Sequence, residues 1–283
     1  MKGDIEGTLA IVVLNWNGAA DTIACLHSII PTLDASVHLL VVDNGSTDCS
    51  VERIRAAFPH IEVLELPHNL GFAAGNNAGF RRVQALGAEY LLFLNNDTVV
   101  APYFYRPLLN LLQQHPDVGI AVPKIFYHHQ PQRLWYAGGE VNLATALIRH
   151  VGLRQFDAPQ FNVATSTDYA TGCSLAIRVA DFEQLGGFDE RFTMYAEDVD
   201  LSLRVRAQGK RIAYEPSSMV WHKVSASLGN NSLQKLWMKS KAMVRLCIKH
   251  RAWSGLLLYF VLLPFRLVRS VGGSLLFKIG KMR

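Results

Sequence analysis

Short, almost wholly apolar runs alternate with helix-like stretches from the start of the chain, and nothing else in the sequence restricts the fold so tightly. Residues 8–15, 37–43, 61–66, 90–94 and 119–122 read as strands. Residues 20–30, ended by Pro31, read as a helix, as do 75–86 and 103–115, and Asp48 is placed to cap another through Ala57. Strands that are apolar at nearly every position are covered on both faces, as in a parallel sheet sandwiched by helices. The expected fold is therefore α/β, a doubly wound and mostly parallel sheet. The chain has 283 residues, half of them apolar, enough for one large core and an appendage.

From about Tyr127 to Asp168 the pattern weakens, and Trp135, Tyr136, Gly138 and Gly139 suggest a hairpin or flap over the sheet. Residues 171–178 then read as a strand, 180–185 as a short helix, and Gly186-Gly187-Phe188 as a turn. A helix is expected from Glu197 to a C-cap at Gly209, followed by two short strands at 211–214 and 219–222. No internal repeat is evident. The four cysteines are far apart and form no CxxC pair, which argues against a structural zinc site and a disulfide framework, and for a reducing compartment. Asp4 and Glu6 precede the first apolar run, so the N-terminus reads as the approach to a strand rather than as a secretion signal. The formal charge of +5 fits either simple solubility or attraction to phosphate or a lipid surface.

In open α/β sheets, ligands bind beyond the carboxyl ends of the strands. Three polar clusters fall there: Asn15-Trp16-Asn17-Gly18, Asp43-Asn44-Gly45-Ser46 and Asn95-Asn96-Asp97. One shared site is expected. Asp43 serves either turn chemistry or a hydrogen bond to a base or ribose. In the run from Asn69 to Gly79, the glycines permit close approach of either a ligand or a packed sheet. The run matches neither GxGxxG nor GxxxxGK[ST], which counts against a dinucleotide-dependent dehydrogenase and a P-loop enzyme. A buried carboxylate at Asp97 is costly unless compensated. It either caps a following helix or binds Mg²⁺ or Mn²⁺, which take oxygen ligands and substrate phosphates. His222, ending an apolar strand, is either structural or a second ligand through a neutral imidazole nitrogen. Glu197, Asp198 and Asp200 crowd the first turn of a helix. The helix dipole accounts for part of this, and one of the three is free to take a proton from a hydroxyl.

Taken in order, these segments resemble the family 2 glycosyltransferases of GT-A fold, in particular the rhamnosyltransferase-like branch. The matching stretches include Val42-Asp43-Asn44-Gly45-Ser46-Thr47-Asp48, the run 69–79, Leu94-Asn95-Asn96-Asp97-Thr98, Thr171-Gly172, Gly186-Gly187-Phe188-Asp189-Glu190, Glu197-Asp198-Val199-Asp200-Leu201 and Trp221-His222, within about 9–227. The resemblance implies an inverting transfer of rhamnose or a related hexose from a dTDP- or UDP-sugar. The acceptor would be a hydroxyl of a glycan or a polyprenyl-diphosphate-linked glycan in cell-surface polysaccharide assembly. Asp43 would bind the donor base, with Asn15, Asn17, Asn69, Gly71, Gly75, Asn76, Asn77 and Asn96 around the nucleotide. Asp97 and His222 would hold a divalent metal, Mg²⁺ or Mn²⁺, although only the last acid of the family's DXD motif is kept. Gly172, Glu197 and Trp135 would border the acceptor, and Asp198 would be the catalytic base. No nucleic-acid partner is expected. The rival readings are an inactive nucleotide-sugar-binding member of the fold and a nucleotidyltransferase. The latter calls for an Arg- and Lys-bearing glycine loop after the first strand, which residues 15–20 lack.

Beyond Ser227 the resemblance fades, dividing the chain into a catalytic unit, 1–227, and a basic, apolar segment, 228–283. Residues 232–250 read as a basic helix, and 253–265 form an apolar run followed by Arg266, Arg269, Lys278, Lys281 and Arg283. A membrane span needs about 20 apolar residues, and this run is shorter. Its composition suits a helix lying in a membrane interface, at the cytoplasmic face of the inner membrane, or else one packed on the catalytic unit or a second subunit.

Overall fold

The computed structural model describes residues 8–192, 194–224 and 232–263. In chain order these form β1 (Leu9–Asn15), α1 (Ala19–Ile29), β2 (Val37–Asp43), α2 (Ser50–Ala57), β3 (Glu62–Glu65), α3 (Phe72–Ala85), β4 (Tyr90–Asn95), β5 (Thr98–Val100), α4 (Tyr105–Gln114) and β6 (Val118–Tyr127). There follow β7 (Gln130–Tyr136), β8 (Gly139–Asn142), β9 (Leu147–His150), β10 (Thr165–Thr167), β11 (Ser174–Arg178), α5 (Val179–Gln184), α6 (Glu197–Ala207), β12 (Arg211–His222) and α7 (Ser232–Lys249). A last helix, α8, covers 253–263.

The main sheet has the order β10-β12-β6-β11-β4-β1-β2-β3, with β5 added to β12 and β7 to β6. Strands β3, β2, β1 and β4 run parallel, as the apolar alternation led us to expect. Antiparallel β11 sits between β4 and β6 and turns the sheet toward its second half. Strands β1, β2, β4 and β6 are buried along most of their length because helices cover both faces. Phe80, Phe93, Phe182 and Phe188 form one aromatic cluster, with ring centroids 4.8–5.3 Å apart, joining α3 and α5 to the sheet.

Three local expectations differ from the structure. The short strands expected at 211–214 and 219–222 are one strand, β12, whose parallel register to β6 shifts between Glu215 and Met219. Pro216 and Pro123 flank that shift. Each lacks an N–H, so the ladder breaks there and resumes beyond a bulge. For the same reason β6 runs on past Pro123 to Tyr127, where the sequence suggested an end. In addition, α3 starts at Phe72, ahead of the expected Gly75. A side chain at Gly75 would bring its Cβ to 2.7 Å from Leu14 Cδ1, and one at Gly79 to 2.6 Å from Val12 Cγ1. These glycines let α3 lie close on the sheet.

The expected flap exists as the hairpin β8–β9 together with β7 at the sheet edge. Helix α7 docks on α6 through charge: Lys249 Nζ donates to Asp189 Oδ2 at 2.7 Å and to Asp200 Oδ2 at 2.8 Å. Among the described residues, no helix is long and apolar enough to cross a membrane. The basic residues from Arg266 to Arg283 lie outside the described residues.

Candidate active site

Parallel pairing sets the ends of β1, β2 and β4 side by side: Asn15 lies opposite Asp43, and Leu14 opposite Asn95. The three polar clusters therefore meet on one rim. Asp43 is buried, and its carboxylate accepts from Asn15 Nδ2 at 2.7 Å, Ser46 N at 2.9 Å and Ser46 Oγ at 2.6 Å. The other side of the Asn15 amide accepts from Thr22 Oγ1 at 2.8 Å, and Asn96 Nδ2 donates to the same hydroxyl at 3.0 Å. Asn17, with φ of +49°, donates its N–H to Ser46 Oγ at 2.8 Å and accepts from Thr47 N at 2.8 Å. Asn69 Oδ1 accepts from Gly71 N at 2.8 Å and from Asn44 Nδ2 at 3.1 Å, which ties the 69–71 turn to the Asp43 loop. The result is a preformed, carboxylate-centred floor.

Asp97 lies on the turn from β4 into β5, so the reading of it as a helix cap does not hold: a strand follows it. The β5–β12 ladder places His222 opposite Thr98, and His222 Nε2 is 3.0 Å from Asp97 Oδ1. Both residues are buried, and His222 Nδ1 has no hydrogen-bond partner among the described residues. The Trp135 ring stands perpendicular to His222 with centroids 4.6 Å apart, and to His150 at 4.4 Å. His150, from β9, pairs through Nδ1 with Trp135 O at 2.9 Å. Among the described residues, no cluster of three His, Cys, Asp or Glu side chains forms a closed metal cage. The facing Asp97 Oδ1 and His222 Nε2, 3.0 Å apart, fit an open cation site completed by phosphate oxygens and water.

The three acids of α6 have three different fates. Asp200 is fully buried among Arg204 Nε at 2.8 Å, Lys249 and His250 Nε2 at 2.9 Å. Burial raises its pKa, but the bonds from His250 and Lys249 outweigh this and hold it below the usual carboxylate range. Asp198 is partly exposed and accepts from Gly172 N and Val199 N, both at 2.8 Å. Burial raises its pKa, and those N–H groups offset the rise only in part. Glu197 is buried, with Oε2 unpartnered among the described residues; burial, then the neighbouring Asp198 charge, push its pKa well up. Tyr195 and Ala196 precede the helix with φ of +71° and +67°. A Cβ at Gly172 would stand 3.1 Å from the Phe72 ring and 3.6 Å from Asp198 Cβ, so glycine keeps this approach open.

The two residues just before β11 connect the segments that carry the two acidic groups. Asn95 N donates to Cys173 O at 2.9 Å, and the next residue back, Gly172, holds Asp198. The Cys173 thiol, pushed up first by burial, feels both the Asp97 and the Asp198 charge. Asp97, His222 and Trp135 thus form one contact group, and Gly172 with Asp198 another, linked through residues 172 and 173. Two other expected residues, Asn76 and Asn77, have their amides engaged elsewhere. Asn77 is tied to the 188–190 turn, donating to Phe188 O at 2.9 Å and Glu190 Oε1 at 3.0 Å and accepting from Phe188 N at 2.9 Å. Asn76 Nδ2 donates to Phe72 O within its own helix, whereas Gly75 stays beside the Asp43 loop, where a Cβ would stand 3.2 Å from Asn44 Nδ2. Two cavities of about 580 and 540 Å³ lie outside this rim, one beside the 186–190 turn and the other beside β8 and β10. Thr22 and His150 were missed by the sequence reading. Thr22 is an unremarkable helix position, and His150 lies in the stretch where the pattern is weakest.

Residues 10–186 match the family described as Glycosyl transferase family 2. The chain is similar to the N-acetylglucosaminyl-diphospho-decaprenol L-rhamnosyltransferase of Mycobacterium tuberculosis, with 24% identity over 87% of this chain and 86% of that protein. It is 30% identical to the O-antigen biosynthesis protein RfbC of Myxococcus xanthus, over 77% of this chain and 17% of that protein. A structure of GalNAc-T7 with UDP, GalNAc and Mn²⁺ matches with a TM-score of 0.70 at 18% identity, covering 87% of this chain and 48% of that one. The mannosyltransferase PcManGT of Pyrobaculum calidifontis, solved with GDP-Man and Mn²⁺, matches at 0.61 and 17% identity, over 98% and 78%. Both structural likenesses concern the fold.

Proposed function

Since this chain belongs to glycosyl transferase family 2, in its rhamnosyltransferase-like branch, we propose that it transfers rhamnose or a related hexose from a dTDP- or UDP-sugar, with inversion. The acceptor is a hydroxyl of a glycan or a polyprenyl-diphosphate-linked glycan, used in building a cell-surface polysaccharide at the cytoplasmic face of the inner membrane. The name of the mycobacterial relative supports the sugar and the lipid-linked acceptor, and that of the Myxococcus relative supports a cell-surface polysaccharide. One observation supports the reading: adjacent residues just before β11 bond to both acidic segments, Cys173 O accepting from Asn95 N, two residues ahead of the His222-paired Asp97, and Gly172 N donating to the Asp198 carboxylate.

Asp43, with Asn15, Asn17 and the Asn69–Gly71 turn around it, receives the donor base and ribose. Asp97 and His222 would hold a divalent cation, Mg²⁺ or Mn²⁺, which when bound neutralises charge on the departing diphosphate. Asp198 takes the proton of the acceptor hydroxyl as that oxygen attacks the anomeric carbon. The bond to the diphosphate breaks on the opposite face, so the configuration inverts. A carboxylate with a raised pKa is the better base for this task. Glu197, Gly172 and Trp135 line the approach of the acceptor.

The test is nucleotide release and product formation with a panel of dTDP- and UDP-sugars and a lipid-linked acceptor, with Mn²⁺ or with EDTA. We expect transfer with one donor class, loss in EDTA, and a product of opposite anomeric configuration by NMR. Donors that stabilise the protein thermally yet are never transferred would leave a binding module in place of an enzyme.

A further inference from the structure

None of the chain's 23 acidic residues lies beyond Glu215, whereas twelve of its 28 Lys and Arg do. The excess of +5 thus belongs wholly to the last quarter, and the part that carries the site is net negative. Within that quarter, α8 is fixed by its inner face. A Cβ at Gly255 would collide with Leu143 O, and buried Tyr259 donates to Ser240 Oγ at 2.7 Å. Its outer face is Trp253, Leu257, Phe260 and Val261, a single helical stripe, exposed by 61%, 69%, 51% and 58%. On α7, Trp237 is 64% exposed, with the Lys241 ammonium 5.3 Å over its ring. Arg251, between the helices, is exposed.

A helix on a soluble domain turns its apolar stripe inward. Here half-buried leucines flank Gly255 and Tyr259 on the inner side, yet a second apolar stripe faces outward, and a patch of this kind marks an interaction surface. A second copy is a poor occupant, because a two-fold contact would set one basic hairpin against another with no acid to pair. Outward aromatic and aliphatic side chains within a wholly basic segment complement an anionic bilayer, the aliphatic groups entering the interface and the cations meeting the headgroups.

We propose that α8 and the exposed side of α7 are a bilayer-interface anchor for anionic lipid, joined through Leu143 to the β8–β9 hairpin at the acceptor side of the site. The 143–145 turn links β8 to β9. His150 on β9 holds Trp135, which packs on His222. The anchor therefore seats the edge of the site that a lipid-linked acceptor would reach. Its purpose rests on the proposed function, but its binding does not.

The full chain is floated with phosphatidylcholine vesicles with or without phosphatidylglycerol. We expect flotation with the anionic vesicles, weakened by salt. Leu257→Glu/Phe260→Glu should abolish it, and Lys241→Glu/Arg251→Glu should weaken partition about tenfold or more. Melting temperature, and nucleotide release with a soluble acceptor in the absence of vesicles, should stay at parental values in both variants. Those readouts separate failure of the anchor from failure of the glycosyl-transfer reading. Flotation that ignores lipid charge, or a Leu257→Glu/Phe260→Glu chain that floats like the parent, overturns the anchor. So does a parental dimer that this variant converts to monomer, since the occupant is then a second copy.

Discussion

Asp198 is the side chain on which turnover should depend most. Two N–H groups aim its carboxylate, and burial strengthens it as a base. Asp198→Asn keeps the shape and removes the basicity. It is expected to lower kcat by about 10²–10⁴-fold with donor affinity near parental, measured by turnover and by calorimetric titration of the nucleotide sugar. Parental turnover would move the base elsewhere. Individual residues were only partly legible from sequence. The turn chemistry expected of Asp43 is present, since Ser46 and Asn15 both bond to its carboxylate at the end of β2. Asn77 carries no sign in its neighbourhood that its partners lie more than a hundred residues away. Asp200 looked like its two neighbours in the acid cluster until α7 supplied the cations that bury it.

At the level of elements, most strands and helices of the first 120 residues appear close to where the apolar period puts them, the early start of α3 and the short strand β5 excepted. β12 and the flap did not read as clearly. Two prolines concealed one continuous strand, and the hairpin β8–β9 is short, with little alternation to betray it. That hairpin leads to a pH-dependent prediction. Burial holds His150 at a pKa of about 4, against 6.5 in an unfolded chain. Between these values the unfolded chain binds a proton that the folded one refuses, so stability is full above about pH 6.5 and falls as pH drops toward 4. The loss is expected to reach up to about 3 kcal/mol. Urea midpoints at successive pH values should show it, and His150→Phe, which keeps an aromatic ring beside Trp135, should flatten the slope. An unchanged slope in that variant would place the titration elsewhere.

For the whole molecule, the doubly wound α/β architecture was legible because it is written in local periodicity. The docking of the C-terminal hairpin was not, since it depends on charges brought together from residues 189, 200, 249 and 250. Removing one of those charges should be felt throughout. Lys249→Ala takes a cation from buried Asp200 and from Asp189 and should destabilise the chain by about 2 kcal/mol, read as a fall in the urea midpoint. No change would mean that α7 is held by other contacts.

Tyr195 and Ala196 sit in the left-handed region in succession, immediately before the helix that bears Asp198. L-residues resist that conformation by about 1–2 kcal/mol each, so the joint stays cocked only while its surroundings hold it. The Lys239 ammonium above the Tyr195 ring, 5.2 Å away, and the α7 cations on Asp200 supply that grip. Lifting the C-terminal helices would let the spring relax and swing Asp198, the base proposed above, out of alignment. Adhesion at one end of the protein and chemical readiness at the other would then share a single backbone trigger.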